Sequence, residues 1–530
     1  MMLLDFFYSA SIFVLSILLF RAIYTTKNRR LRLPPSPFGL PIIGHLHLLG
    51  PKIHHSFHNL YKRYGPIFHL RLGSNRCIVV STPELAKEFL KTHELDFAYR
   101  KNSSAISLLT YHVSFAFAPY GPYWKYIKKI TTYQLLGNRN LTHFEPIRRL
   151  ETNRVLYDLM VSSKHGKSVN LTEEMIKLTS NIISQMMLSI RCSDTESGAT
   201  NVRNVIRDVT ELFGEFDVSD IIWFCKNTDL QGIKKRANGI HERYDALLEK
   251  IISDRERTRI VEKKNSGAGG GSGDGERNDF LDILMDAMED DTSEVKLSRN
   301  HIKAIILDFL TAATDTTAIS LEWALSELIN NPRVLKKAQE EINNVVGNQR
   351  LVKELDTPNF PYIKAIIKET FRLHPPIPMV IRKSANDIQV AGYDVPKNTM
   401  LFVNIWSIGR NPSYWEKASE FSPERFLADT DGGGLSHMDI NGQYFELMPF
   451  GTGRRGCPGM PLAMQELPTV LSLMIQCFDY IPLDFKGEKA ERVMDMSERP
   501  GLTAPRANEL MCLLKPRIDL PNLLGNVKGE

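Results

Sequence analysis

The stretch Phe450-Gly451-Thr452-Gly453-Arg454-Arg455-Gly456-Cys457-Pro458-Gly459 constrains the chain more than any other. It sets one cysteine in a glycine-rich turn, two residues after an arginine and just before an apolar run from Met460 to Met474. Glycine takes φ values that other residues avoid, so a backbone this poor in β-carbons can pass close to a flat ligand. The apolar run predicts a helix, which puts Cys457 at or just before its N-terminus. Unpaired N–H groups and the helix dipole there favour a thiolate over a thiol.

Two readings of Cys457 stand side by side. A lone cysteine in an apolar setting is ordinarily a buried structural residue. A thiolate in a tight, hydrogen-bonded turn is also how a protein holds haem iron and pushes electron density onto it. The other cysteines (Cys77, Cys192, Cys225, Cys477, Cys512) are scattered, with no C-x-x-C among them. That spacing excludes the usual zinc and iron–sulfur sites, and six cysteines in 530 residues make a poor disulfide framework.

Most of the net charge of +5 belongs to the N-terminus: Arg21, Lys27, Arg29, Arg30 and Arg32 against Asp5 give +4. The rest is nearly neutral, which leaves no footprint for nucleic acid. Leu3 to Phe20 is apolar except for Asp5, and Ala22, Ile23 and Tyr24 extend it, enough for a spanning helix. Basic residues follow the apolar run and do not precede it. That order predicts an uncleaved anchor over residues 1–26, its basic end on the cytosolic side. Pro34-Pro35-Ser36-Pro37, Gly39, Pro41 and Gly44 then predict a stiff hinge over 27–44.

Ile67–Leu72 and Cys77–Ser81 have strand character, as do Ile388–Ala391 and Met400–Asn404. Most of the chain to about residue 260 has helical spacing. The Gly/Ser-rich segment 265–275 predicts a flexible surface loop. A long apolar-periodic helix is expected over 297–329, stopped by Asn331-Pro332, and another over 362–373, stopped by Pro375-Pro376. The pattern is mainly α with small β-sheets, a single large unit over 45–520.

Within the long helix, Ala312-Ala313-Thr314-Asp315-Thr316-Thr317 buries an acid beside an alcohol, which is costly without a purpose. The bland alternative is a threonine bonding back to the carbonyl four residues before it. Glu369 and Arg372 lie at i and i+3 on one helical face. Phe421-Ser422-Pro423-Glu424-Arg425-Phe426 comes later in the chain. Taken in order with the cysteine stretch, these motifs resemble those of the cytochrome P-450 family, and the proline-rich segment resembles the hinge of its microsomal members. The resemblance implies the haem-thiolate fold with Cys457 as axial ligand to the iron of haem b. It also implies Thr316 and Asp315 as the pair serving O2 and its protons, and a structural network of Glu369, Arg372 and Arg425. Phe450 belongs to the haem-binding loop. Arg455, Trp124, Lys128 and Arg382 are the implied propionate partners. Lysine at 128 keeps the charge of the family's arginine without its planar fork. An exposed basic patch of Lys125, Lys129 and Arg454 would receive an NADPH–cytochrome reductase. Membrane lipid of the endoplasmic reticulum is the implied anchor partner, with the catalytic unit in the cytosol.

Ile43–Leu48, Phe213–Phe216, Gln443–Phe450 and Met496–Ala507 look like plant flavone synthases and flavanone 2-hydroxylases of that family. This resemblance implies oxidation of a flavanone such as naringenin at C2. The candidate pocket is Ser107–Leu109, Phe213, Phe216, Thr311, Val380, Ile381 and Leu502, with Ile381 standing where the isoflavone synthase group tends to carry lysine. Two rivals come from other classes. A haem-thiolate enzyme rearranging hydroperoxides needs no acid–alcohol pair, and neither does a non-catalytic membrane haem protein.

Overall fold

The helix expected over 297–329 runs from Arg299 to Asn330, and the core is arranged about it. Ser298 caps it, with His301 Nδ1 2.8 Å from its hydroxyl, and Asn331 ends it where Pro332 opens the helix Pro332–Val345. Ile302 to Leu310 and Thr317 to Leu328 are buried without interruption. The helices Leu171–Leu188, Pro361–Leu373 and Met460–Cys477 pack around it. Thr179 on the first of these donates its hydroxyl to the Thr314 carbonyl at 3.0 Å.

The computed structural model describes residues 7–9, 11–17, 31–100, 102–192, 199–215, 217–226, 228–265, 279–427, 434–483 and 494–518. It is mainly helical with small sheets. The largest sheet has four strands in the order Ile67–Leu72, Asn75–Val80, Met400–Val403, Val380–Lys383. The middle pair is parallel and the outer pairs antiparallel. Side chains alternate across it. Ile78, Val80, Leu401, Val403 and Val380 join Phe445 and Met448 on one face. Phe68, Leu70, Val79 and Phe402 pack on the other, with Ile381 and Met400 against them. The first face is the one turned toward the cysteine stretch: Arg382, which shares it with Val380, reaches the Arg455 carbonyl at 3.4 Å.

The strand expected over 388–391 stops at Val390, since Ala391 and Gly392 both take positive φ to turn back into Tyr393–Val395. A three-stranded sheet of Val169–Asn170, Met511–Pro516 and Phe478–Pro482 goes beyond the sequence reading. Val169–Asn170 runs straight into the helix Leu171–Leu188 and Phe478–Pro482 straight out of Met460–Cys477, so their apolar residues read as continuations of helical runs.

At the N-terminus, residues 7–9 and 11–17 are helical, and Phe7, Ile12 and Phe13 are exposed. Among the described residues, one helix of 18 residues or more is apolar enough to cross a membrane, Arg299–Asn330. It is the core helix, with 78% of its apolar window buried in the fold. Of the hinge, 31–44 is described. Gly44, at φ 64°, pairs there with Leu40 and Leu72. Of the Gly/Ser segment, only Asn265 is described, closing the helix Ile233–Asn265.

Candidate active site

Cys457 closes its turn by donating its N–H to the Phe450 carbonyl at 2.9 Å. Gly451 and Gly453, each at φ 67°, make the reversals inside the turn, and Gly456 N–H reaches the Gly453 carbonyl at 2.9 Å. The helix Met460–Cys477 starts two residues past Pro458, and the N–H groups of Gly459 and Met460 bond the Cys457 sulfur. The expected helix-terminus donors are therefore in place. Burial nevertheless outweighs them and the nearby Lys128 and Arg100 charges, and pushes the thiol up.

The Cys457 side chain is accessible although it lies among protein atoms deep enough to be desolvated. The surface it shows is interior. The central helix has a matching break: Ala312 is exposed and Ala313, Asp315 and Thr316 are half-buried, between turns that are fully buried. Thr316 donates its hydroxyl to the Ala312 carbonyl at 2.8 Å, the back-bonded geometry, which leaves its lone pairs to accept. Asp315 accepts a hydrogen bond from Thr503 at 2.8 Å, and burial raises its carboxyl pKa against the pull of that bond.

Four cations converge beside the cysteine loop. Lys128 Nζ donates to the Gly456 carbonyl at 3.1 Å. Arg455 Nε donates to the Ala98 carbonyl at 2.8 Å, and its Nη2 to the Ala118 carbonyl. Arg382 reaches its own strand at Ile381 (3.0 Å) and the Arg455 carbonyl (3.4 Å). Arg100 Nη1 donates to the Ala116 carbonyl at 3.0 Å. These are bonds to neutral oxygens. Burial, then mutual repulsion with Arg100, pulls Arg455 down to about 9. Burial and the Arg100 and Arg455 charges hold Arg382 well below its ordinary value. Arg455 Nη1 is buried with no partner.

Sequence reasoning missed Arg100, and it missed the residue that arranges the group, Asp308. Two turns before Asp315, Asp308 accepts from Ser114 Oγ at 2.9 Å and from Ala116 N–H at 3.1 Å. It thereby fixes the segment whose Ala116 and Ala118 carbonyls take Arg100 and Arg455. Burial pushes its carboxyl up to about 6. No local pattern marks either residue, and the Asp308 contacts cross almost two hundred positions.

The Glu369 carboxylate lies between two arginines. Arg372 meets it in a fork at 2.7 and 2.8 Å, and Arg425 Nε lies 3.0 Å away. Arg372 also donates to the carbonyls of Gly409, Ala418 and Glu420. All three join the helix Pro361–Leu373 to the segment leading to the cysteine loop, where Phe371 meets Phe450 ring to ring at 5.3 Å.

Among the expected pocket residues, Phe213 contacts Phe117 edge-on at 6.3 Å, and Gly214 abuts the backbone at Leu502. Thr311 bonds back to Leu307 at 2.7 Å, and Val380 shares a sheet face with Arg382. Ser107–Leu109 lie in the short helix Ser104–Leu109. Phe216 lies outside the described residues. Strand alternation turns Ile381 to the face opposite Val380 and Arg382, where it packs, partly buried, against the Phe68–Phe402 cluster. Arg454 is paired with Glu94 and lies over Tyr120, whose ring also meets Lys125.

The sequence profile of the cytochrome P-450 family matches residues 34–505. The chain belongs to the cytochrome P-450 family. Cytochrome P-450 93B2 of Gerbera hybrida is 59% identical over 504 residues, covering 95% of both chains. Cytochrome P-450 93B16 of Glycine max is 55% identical, covering 94% of this chain and 95% of that one. A 2-hydroxyisoflavanone synthase of Glycyrrhiza uralensis is 44% identical, over 92% of each.

The side chains present fit the haem that a cytochrome P-450 carries. One face offers an accessible sulfur in a turn whose glycines leave room for a flat ring. Beside it, crowded cations with an unpartnered Arg455 nitrogen are what two propionates would neutralise. Trp124, 4.6 Å beneath the Arg455 guanidinium, holds that group in place.

Proposed function

We propose that this cytochrome P-450 oxidises flavanones at C2 to flavones, naringenin to apigenin, with O2 and NADPH-derived electrons from a reductase. Cys457 is its iron ligand, and Arg455, Arg382, Arg100 and Lys128 hold the propionates. Haem, when bound, supplies the oxidising chemistry. The chain's own side chains do the rest. Phe213, Val380, Leu502 and Thr311 orient an aromatic substrate, and Asp315 carries protons at its carboxyl while Thr316 accepts hydrogen bonds beside it. The acid–alcohol pair at the break in the buried central helix carries the monooxygenase reading.

Residues 1–26 anchor the protein in the endoplasmic reticulum membrane, 27–44 form the hinge, and 45–520 form the cytosolic haem-thiolate domain. Lys125 and Lys129 face the reductase. Hydroperoxide rearrangement and a non-catalytic haem role leave the acid–alcohol pair unused.

The flavanone reading is supported by the stretches that look like flavone synthases, among them 213–216 and 496–507, of which Gly214 abuts Leu502. A relative named 2-hydroxyisoflavanone synthase keeps aryl migration as the second reading. Ile381 does not discriminate between them, since it faces away. Reductase-supported NADPH consumption that rises with naringenin, alongside a thiolate-type ferrous–CO spectrum, is expected. Consumption indifferent to naringenin, with the same spectrum, would remove the flavanone and leave the cytochrome P-450.

A further inference from the structure

The hydrogen bond between Thr503 and Asp315 spans 188 positions, and the loop that makes it is held at both ends. At its start, Glu498 accepts from His54 Nε2 at 2.6 Å, His55 Nε2 at 2.9 Å and, through its other oxygen, Trp406 Nε1 at 2.8 Å. Burial alone would raise that carboxyl; the two histidine bonds outweigh it and hold it well below the ordinary range. At the end, Ala504 donates to the Pro376 carbonyl at 2.8 Å and accepts from Trp323 Nε1 at 2.9 Å. Arg499 N–H closes the loop on the Pro505 carbonyl at 2.9 Å. On its outer side the backbone has no slack: a Cβ on Gly214 would stand 2.9 Å from Leu502 N.

A loop fixed this well places the Thr503 hydroxyl before any ligand arrives, and pre-organised polar groups need no rearrangement at the moment of use. The residue type matters as well. A hydroxyl is both donor and acceptor. It donates to Asp315 Oδ2 when the carboxyl is ionised and can accept from it when protonated, so the carboxyl keeps its orientation through a proton's arrival and departure.

We propose that Thr503 is the positioning residue of the proton path: it holds Oδ2 of Asp315 in both protonation states, leaving Oδ1 to exchange protons beside Thr316. The assignment rests on the monooxygenase reading of the acid–alcohol pair. Arg499 is the charged side chain that bears on Asp315 besides, favouring the carboxylate. Two turns further along the helix, Glu322 is engaged by Thr172 and Arg506 by Ser326.

The test uses the full-length haem-loaded protein with Thr503→Val and Thr503→Ser. In the resting state, without substrate, the infrared carboxyl band abolished by Asp315→Asn is titrated. Thr503→Val removes a bond that favours the carboxylate, so the midpoint moves up in pH; Thr503→Ser restores it. Under turnover with naringenin, Thr503→Val releases roughly fivefold more hydrogen peroxide per NADPH, while the spectral binding constant for naringenin holds within about twofold. An unmoved carboxyl midpoint overturns the proposal, whatever the substrate proves to be. A shifted midpoint with unchanged peroxide release overturns the role in proton handling. A failure of naringenin to turn over strikes the flavanone reading, and the peroxide comparison is then made with whichever substrate drives NADPH consumption.

Discussion

The guanidinium carbon of Arg455 stands 4.6 Å from the centre of the Trp124 ring, and its Nη1 is buried without a partner. A cation stacked and half-bonded in this way is waiting for an anion. Each charge-assisted hydrogen bond lost is worth about 1.5–3 kcal/mol. Arg455→Leu should therefore weaken haem retention tenfold or more by that arithmetic, about 1.4 kcal/mol per decade. Arg455→Lys should recover only part, for want of the fork. Haem bound per chain after gel filtration reads the effect, and retention equal to the parent would contradict it.

Glu369 supplies one carboxylate to both Arg372 and Arg425, and Arg372 is 1% exposed. Removing one partner of a buried pair leaves an uncompensated charge, costing about 3–5 kcal/mol. Glu369→Ala should lower the thermal midpoint and yield haem-poor protein, as read by differential scanning fluorimetry and the ferrous–CO spectrum. Because the network lies away from Asp315 and Thr316, whatever fraction retains haem should keep parental coupling of NADPH to product.

Much of this site was legible because its chemistry is local. The glycines and Cys457 fall within ten residues, Asp315 and Thr316 are adjacent, and Glu369 and Arg372 share one helical turn. What was illegible crosses the fold. The Arg100 charge bears on Cys457 from a guanidinium held by the Ala116 carbonyl, in the segment that Asp308 fixes, and Thr503 meets Asp315 from a loop that Glu498 and Ala504 hold. The side to which Ile381 turns follows from strand parity. A strand has period two, so placing Arg382 beside the cysteine loop commits Val380 to that face and Ile381 to the other. The strands Phe478–Pro482 and Met511–Pro516 escaped because their pairing partners are distant and their apolar residues show no clean alternation.

That parity makes its own prediction. Val380→Phe should weaken naringenin binding tenfold or more, by blocking the substrate side, whereas Ile381→Leu, a volume-conserving change in the far cluster, should leave it within about twofold. Spectral titration of the resting protein measures both. Equal effects would mean the strand does not present Val380 to the substrate.

Glu466, on the cysteine helix, is 6% exposed, and burial pushes its carboxyl up to about 8, opposed chiefly by Arg148. Arg148 is already engaged by Glu354 at 2.6 and 2.8 Å. A folded pKa above the unfolded value means stability fully present below about 4.5 and lost as pH rises to about 8. Glu466→Gln removes that loss. The variant should match the parent near pH 4 and exceed it near pH 8.5 by up to about 5 kcal/mol, at 1.36 kcal/mol per pKa unit. Thermal midpoints across that range test it; a parent that does not lose stability relative to the variant on going alkaline would contradict it.

The most direct test of the central claim is product identity. Membranes carrying the protein, a plant reductase, NADPH and naringenin are incubated, and products are resolved by mass spectrometry before and after acid. Apigenin present before acid is the predicted result. A 2-hydroxynaringenin that yields apigenin only with acid, a 2-hydroxyisoflavanone, or no NADPH-dependent product from haem-intact protein would each contradict it.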